Sequence, residues 1–457
     1  MEIPYSNSTF VNPKFPYAVT PCVVPADETT RITIRGRFPQ SDFRKKPVVR
    51  LETIPCDGLF SDSSLPGITM GNGFDMKRPG FEEIPFTLDE ATGVISFTHR
   101  FRGEGEHIIR LCNANDAYAA LSLFALKPDL FELRPFRGDM HIHSCFSGCN
   151  RDRGTPEEFV ASAANIGLDF MSLSDHKQLA PSRIAMAFTE KCACNIKAYP
   201  GEEVHLLDLH NHHLLNFGGN SDLCDFMRDS PEAFALELKP YFDRIPADMD
   251  KYVRELLATS GYLLDKIRED GGLSVLCHPF WKPAHRFYLP TSVLDYMFDE
   301  NKFDALELVG CAGPSPDYQE TNQLTVAYWH SKSLQLGRTI PVVGNTDAHA
   351  CVQLGQNCSI VFAKDNTLAD IIAAVRANRS VACDQYPQEF PKFYGDFRLV
   401  KYAYFLRRAY YPTHDEISHR EGSLMLDAIT GDFPATGASF ENIHAAMAAW
   451  NDSFWAK

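Results

Sequence analysis

The sequence predicts an α/β protein in two parts. A β-sandwich-like module occupies residues 1–132, and a strand–helix alternation over 133–383 suits an α/β barrel or an open parallel sheet. Short strand-like runs separated by Gly and Pro fill the first part. Near Leu133 the texture changes to apolar runs spaced by helix-length segments. A third feature bears on chemistry: groups of His, Asp and Glu close the apolar runs of the second part.

In the first part, residues 30–38 alternate in part between β-branched and polar side chains, and residues 47–54, 93–101 and 106–111 follow at spacings that suit antiparallel strands. No polar constellation gathers there, which is the pattern of a packing or substrate-flanking module. In the second part, RGDMHIHS, GLDFMSLSDH and IKAYPGEEVHLL are separated by helices. Thr155 is the N-cap of the first helix, with Pro156 at its first position and Glu158 at its third. Residues 221–270 interrupt the alternation with a mostly helical insertion, expected to pack at the ligand end. Its last helix starts near Asp250, carries Val253, Leu256, Leu257, Leu264 and Ile267 on one face, and stops at Gly271-Gly272. Strand signals resume at GLSVLCHPF, FDALELVG, TIPVVGNTDAH and CSIVFAK, and residues 365–378 form one more amphipathic helix. Residues 384–457 read as an aromatic, Tyr/Arg-rich C-terminal extension ending in a short helix near 441–450.

Composition narrows the function classes. With 457 residues, 44% of them hydrophobic and 23% charged, the chain is globular rather than disordered, fibrous or disulfide-stapled. Its 44 basic and 59 acidic residues give a formal charge of −15 and no basic tail, which disfavours a nucleic-acid clamp or a polybasic membrane binder. No run approaches the roughly 18 apolar residues of a membrane span. The opening MEIPYSNSTFVNPKFPYAVT has neither a basic nor a continuous apolar stretch of the secretory kind. Thirteen cysteines without paired zinc-finger spacing read as reduced thiols of a cytoplasmic protein.

Of 16 histidines, 11 fall between residues 137 and 349. His141 and His143 end one strand run and, as i and i+2, project to one side. Asp175 and His176 end the next. Glu202 and Glu203 follow YPG, with His205, His210, His212 and His213 behind them. His278 ends GLSVLCHP, and Asp347 and His349 end PVVGNTDAH. In α/β folds this end of the strands holds ligands. A lone HxH is commonly a satisfied histidine, but five such groups at equivalent strand ends imply metal ions, which supply the charge that buried imidazoles and carboxylates would otherwise lack. Mixed nitrogen and oxygen ligands suit Zn²⁺, Mn²⁺ or Fe²⁺ and argue against a dedicated Ca²⁺ or Mg²⁺ cage.

HIHS, SLSDH, PGEE, the histidines before Phe217-Gly218, LCHP and GNTDAH, in this order and approximate spacing, resemble the PHP (polymerase and histidinol phosphatase) superfamily over residues 135–383. The resemblance implies a distorted (β/α)7 barrel with two or three divalent metal ions and hydrolysis of phosphate esters, in the manner of stand-alone phosphoesterases with an accessory β domain. It implies one metal on His141, His143, Glu203 and Asp347, a second on Glu203, His213 and His278, and a third on His176 and His349 with one ligand from the loop after HxH. In that loop, CFSGCNRDRG departs from the family pattern: Cys149 supplies a soft ligand that would favour zinc, Asp152 reaches in, or the third site is weak. Cys149 as a plain loop thiol has equal standing. Asp175 either orients a ligand histidine or touches a metal. His205, His210 and His212 compete with His213, which is preferred for its distance from Gly218.

The expected chemistry is attack on phosphorus by a metal-bound hydroxide, with His349 or His205 passing a proton to the leaving group. Glu203, His349 and Asp175 are the catalytic candidates. Arg137, Lys177, Lys282, His285 and Arg286 stand beside the motifs and are candidates to meet the phosphate, although such residues commonly face solvent. Nucleophile-elbow and Walker signatures are missing, so serine hydrolase and nucleoside triphosphatase readings drop out. The leading expectation is a phosphoesterase acting on a small phosphorylated molecule of the nucleotide or sugar phosphate type, without stable nucleic-acid or membrane binding. The alternatives are a catalytically silent metal-bearing module that binds a phosphorylated ligand, and a metallohydrolase cutting another bond. A proofreading partner of a DNA polymerase is disfavoured, since the rest of the chain is too short for one and the net charge opposes DNA binding.

Overall fold

The computed structural model describes residues 15–56, 82–114, 117–149, 153–205, 212–310, 316–386, 389–431 and 437–457. They divide into two compact units, one built on 134–403 and 414–444, the other on the residues before 134 together with 404–413 and 445–457.

In the smaller unit, β-branched alternation makes strands: β1 (Tyr17–Thr20), β2 (Val23–Pro25), β3 (Thr29–Gly36), β4 (Arg50–Pro55), β5 (Glu82–Ile84), β6 (Thr87–Asp89), β7 (Val94–Arg100), β8 (Gly105–Cys112) and β9 (Ala117–Leu126), followed by the single turn α1 (Pro128–Phe131). They form a four-stranded sheet ordered β1-β3-β7-β6 and a five-stranded sheet ordered β2-β9-β8-β4-β5. Inward positions of both sheets fill one core. Ile32, Ile34, Ile95 and Phe97 come from the first, and Leu51, Ile109, Leu111 and Leu123 from the second. The chain's end joins this unit, where Trp455 bridges Val23 and the Ala456 N–H donates to the Val23 carbonyl at 2.8 Å.

The larger unit starts with β10 (Arg134–Ile142), α2 (Pro156–Asn165), β11 (Phe170–Leu173), α3 (Ala180–Cys192) and β12 (Lys197–Tyr199). Thr155 caps α2 through a reciprocal pair with Glu158. The hairpin β13 (Gly201–His205) and β14 (His213–Phe217) comes next, then the helices α4 (Leu223–Asp229), α5 (Pro231–Arg244) and α6 (Lys251–Glu269). The chain continues through β15 (Leu273–Leu276), α7 (Thr291–Asp299), β16 (Ala305–Val309), α8 (Pro316–Leu336), β17 (Val342–Gly344), β18 (Asn357–Ala363), α9 (Leu368–Arg376), β19 (Ser380–Asp384) and β20 (Lys392–Gly395). Three helices close the sequence: α10 (Phe397–Ala409), α11 (Tyr411–Thr430) and α12 (Gly437–Phe454). The extension therefore holds far more helix than the short one expected near 441–450.

The expected distorted (β/α)7 barrel is overturned: the strands make two separate mixed sheets and neither closes. One is ordered β12-β11-β10-β18-β19-β20, the other β13-β14-β15-β16-β17. The reason lies in strand direction. β10, β11 and β12 run parallel, but β18 pairs antiparallel with β10 and β19 antiparallel with β18, despite the helix α9 between them. β14 likewise pairs antiparallel with both β13 and β15. Apolar runs spaced by helices look like crossover units, yet the runs themselves carry no record of direction.

The two sheets share a core of Met140, Phe170 and Val361 with Leu215, Val275 and Val343. Gly138 permits the close approach, since a Cβ there would lie 2.3 Å from the Phe170 ring. A second core packs Val204, Leu214 and Leu306 against Leu257, Leu264 and Ile267 of α6 and Val293 and Met297 of α7. Among the described residues no helix is long and apolar enough to cross a membrane.

Candidate metal centre

β10 delivers His141 and His143 to one side of the sheet, both fully buried. β13 delivers Glu203, which is 1% exposed, and a single-residue parallel bridge sets it beside His176 at the end of the β11 run. On the hairpin, His205 and His213 are register partners, so their rings fall on the same face and stack at 3.9 Å. His278 follows β15 and Asp347 follows β17. Both have positive φ, +23° and +53°, an unfavourable conformation that surrounding contacts must hold.

These side chains converge on Glu203. Its Oε1 faces His213 Nδ1 at 2.7 Å, His278 Nε2 at 3.2 Å and His141 Nε2 at 3.4 Å. Its Oε2 faces His176 Nδ1 at 2.6 Å, His143 Nε2 at 3.5 Å and His205 Nε2 at 3.6 Å. Asp347 Oδ1 lies 2.9 Å from His143 Nε2 and 3.4 Å from His141 Nε2. His349 turns its Nδ1 to the Asp347 carbonyl at 2.8 Å, and its ring lies tilted 4.5 Å from that of His143.

The residues fit metal ions. His141 Nε2, His213 Nδ1 and Glu203 Oε2 are buried and in close contact with other polar atoms, yet none is aligned as a hydrogen bond. Buried nitrogen and oxygen atoms this close to one another without a hydrogen bond between them are a donor set suited to a cation. Four overlapping groups have ligand atoms within 4.8 Å of one another: His141/Glu203/Cys277/His278, His143/His176/His349, His141/His143/Asp347 and His176/Glu203/His205.

Outer contacts set the imidazole tautomers. His141 Nδ1 meets Glu307 Oε2 at 2.9 Å, and since a carboxylate only accepts, Nδ1 carries the hydrogen and Nε2 presents its lone pair inward. Glu307 also accepts from the His278 N–H at 3.1 Å and from Asn345 Nδ2 at 2.9 Å. Ser147 gives its hydroxyl hydrogen to Asp175 at 2.8 Å, leaving its oxygen to accept from His143 Nδ1 at 3.2 Å and from the His176 N–H at 3.1 Å. Asp175 is thus occupied by Ser144 and Ser147 and acts on His143 through Ser147. Asp139, fully buried, accepts from the His141 N–H at 3.1 Å and from Thr346.

Electrostatics follows the packing. Burial raises the Glu203 carboxyl, but His213, His176 and His141 outweigh it and hold the group well below its ordinary value. Burial depresses His143 to about 3 and His205 to about 4, so both are neutral and able to ligate. Burial opposes the charge on His176, yet Glu203 brings it up to about 10. Burial likewise raises the Cys149 thiol, but hydrogen bonds from His176 and His349 bring it down to about 6.

The remaining candidates fall in several places. Cys149 lies against His176 and His349, while Asp152 and His210 lie outside the described residues. His212 points away from the cluster, its Nδ1 2.9 Å from Ser260 Oγ of α6. Arg137 is committed elsewhere: 3% exposed, it donates to the carbonyls of Ile166 and Gly167 and to Asp415. Lys282 is paired with Glu320 at 2.6 Å, and Lys177, His285 and Arg286 are exposed. The helical insertion touches the site's flank, where the Leu223 and Cys224 N–H groups at the start of α4 donate to Glu202 at 3.2 and 3.3 Å. Sequence reasoning missed Glu307, Asp139, Ser147, Trp281 and Tyr288. The two acids carried a signal, Glu307 standing among apolar residues in ALELV and Asp139 two residues before His141 in the same strand run.

No family model and no curated protein matches the chain. Among solved structures, it is similar to a two-domain protein containing a predicted PHP-like metal-dependent phosphoesterase from Bacteroides vulgatus, at 18% identity and TM-score 0.37, over 56% of this chain and 66% of that one. It is also similar to PsfC from Pseudomonas syringae, at 16% identity and TM-score 0.32, over 60% of this chain and 98% of that one. A third likeness is to the lesion-specific endonuclease EndoQ from Pyrococcus furiosus, at 18% identity and TM-score 0.35, over 57% and 58% of the two chains.

Proposed function

We propose that the chain is a metal-dependent hydrolase of the PHP type that cleaves phosphoesters of small molecules. One observation carries the reading: a buried carboxylate, Glu203, shared among six histidines (His141, His143, His176, His205, His213 and His278) with Asp347 alongside. One set, His141, His213, His278 and Glu203 Oε1, would hold one divalent ion. His143, His176, His205 and Glu203 Oε2 would hold another, with Asp347 between them through His141 and His143. His349 and Cys149 extend the second set toward a third position, and the thiol there favours zinc over manganese or iron.

Divalent ions bound in this way supply acidity to a water molecule and positive charge to phosphoryl oxygens. The chain's own residues do the rest. Glu307 and Ser147 fix which imidazole nitrogens face inward. Glu203 spans two ligand sets and so sets their separation. His349, with 30% of its side chain exposed, stands at the accessible edge and can hold a proton for a leaving alkoxide when two ions rather than three are bound. Of the candidates beside the motifs, Lys177 and Arg286 are exposed cations that can meet a phosphate, with His285 exposed beside them, and the free thiols among the described cysteines fit a reducing, cytoplasmic setting.

The test is metal analysis of natively purified protein, followed by a panel of phosphomonoesters and phosphodiesters with Mn²⁺, Fe²⁺ and Zn²⁺. Two or more equivalents of metal with metal-dependent phosphate release is the expected result. Less than one equivalent, unrestored by added metal, counts against the reading. Full metallation with phosphate binding and no hydrolysis would mark a silent binding module instead.

A further inference from the structure

Beside the histidine cluster stands a wall that the proposed hydrolysis does not use. The segment after His278 folds back on itself, with the Trp281 N–H donating to the His278 carbonyl at 2.9 Å and the Tyr288 N–H donating to the Trp281 carbonyl at 3.0 Å. This pins Trp281 by its backbone on both sides. Its ring lies 5.8 Å from the His213 ring, 5.7 Å from His278 and 5.9 Å from Tyr288. The Tyr288 ring is 5.5 Å from His278, and its hydroxyl is spent on the Cys277 carbonyl at 2.9 Å, so the ring rather than the hydroxyl faces the cluster. Phe287, 45% exposed, continues the surface and packs edge-on against Phe280 at 5.4 Å. The segment's one lysine is neutralised, since Lys282 Nζ sits 2.6 Å from Glu320 and 5.4 Å from the Phe287 ring.

Half-buried Trp281 is therefore a rigid flat surface within a ring's width of two ligand histidines. A polyphosphate needs several unpaired cations, whereas this segment offers the exposed Arg286 for a single phosphoryl group beside the paired Lys282. Aromatic faces offer stacking area instead, and the backbone pinning prepays the ordering cost. We infer that the substrate is a phosphomonoester whose organic part carries a flat aromatic ring a few bonds from phosphorus, with Trp281 as the specificity-determining contact. This rests on the phosphoesterase reading above and narrows it.

The experiment compares kcat/KM of the metal-loaded protein for 2-phenylethyl phosphate, 2-cyclohexylethyl phosphate and glycerol 3-phosphate, primary alkyl esters of comparable leaving-group strength. The aromatic ester should be preferred over glycerol phosphate by at least about tenfold, and over the cyclohexyl ester by a smaller factor, as aromatic stacking adds modestly to area burial. Trp281→Leu, which keeps apolar bulk without the aromatic face, should collapse the phenyl-to-cyclohexyl ratio toward one, and Trp281→Phe should restore much of it, with metal content unchanged in both. Equal rates on all three esters, or a ratio untouched in Trp281→Leu, would overturn the inference while leaving the phosphoesterase reading intact. If no ester is hydrolysed, the hydrolytic reading fails, and calorimetric binding of 2-phenylethylphosphonate against ethylphosphonate decides the aromatic site alone. Equal affinity for the two overturns it, and at least about tenfold tighter binding of the phenyl compound supports it.

Discussion

His212 and His213 are adjacent in the chain and take opposite directions because successive residues entering a strand point to opposite faces. His213 faces Glu203, and His212 faces Ser260 of α6. Replacing each by Ala should separate the two roles. His213→Ala should lose metal and turnover together, while His212→Ala should keep both and cost about 1 to 2 kcal/mol of stability, the scale of a buried hydrogen bond with some packing. Metal analysis and urea denaturation of both variants check this, and equal metal loss in the two would defeat the assignment. At Glu203 the change to Gln retains the size and one acceptor but removes the charge that six histidines face. Turnover should fall by at least the roughly 100-fold that even outer partners of a metal site can cost, with metal content reduced. Wild-type turnover in metal-poor Glu203→Gln protein would eliminate the mechanism. Sequence order alone named most of the cluster because histidines after apolar runs are conspicuous. Glu307 and Ser147 were invisible in their roles, since what they do depends on which nitrogen of a distant histidine they meet.

At the scale of elements, α11 is tied to the first sheet by a buried charge network. His414 Nε2 meets Asp169 at 2.9 Å and its Nδ1 meets Asp415 at 3.0 Å, while Asp415 also accepts from Arg137. Burial opposes a charge on His414, but Asp169 and Asp415 outweigh it and lift the imidazole to about 9, against an ordinary 6.5. A raised value means the folded state binds the proton more tightly, so the stabilisation is complete below about 6.5 and is lost as pH rises through about 9. The shift corresponds to at most about 3 kcal/mol. His414→Gln, which keeps a hydrogen bonder without the charge, should be less stable than wild type at pH near 6 and approach it at pH near 9.5. Denaturant midpoints of the two proteins at both pH values give the difference directly, and a gap that does not narrow would refute the charge assignment. This network also shows why the C-terminal extension was hard to read. The buried polar residues of α11 (His414, Asp415, Ser418 and Glu421) erase the apolar stripe by which a packed helix announces itself. The strands failed differently: α9 has a crossover helix's length and amphipathicity, but β18 and β19 pair antiparallel around it, and pairing direction is set by tertiary packing rather than by any residue in the run.

For the whole molecule, the decisive asymmetry is where the metal-ligating side chains lie. Among the described residues the larger unit gathers histidines and carboxylates into one buried cluster, whereas the smaller unit is held by an apolar core shared between two sheets. A ligand that binds only the folded cluster stabilises by mass action, by about 2.7 kcal/mol at a hundred times its dissociation constant. Removing the metal should therefore loosen one unit selectively. Hydrogen exchange should accelerate in residues 139–149, 172–179, 201–205, 212–217, 275–289 and 342–354, which carry the cluster and its supports, by up to about 100-fold where exchange proceeds through opening of the site. Exchange in β3, β7 and β8 should stay as it was, because Ile34, Phe97 and Leu111 keep their contacts whatever the metal does. The comparison is made on the full chain before and after chelation, with Zn²⁺ or Mn²⁺ restored as the control for reversibility. Unchanged exchange at the cluster would mean that the histidines are satisfied without an ion. Equal acceleration in both units would mean that the metal holds the whole chain together rather than the unit whose strand ends it closes.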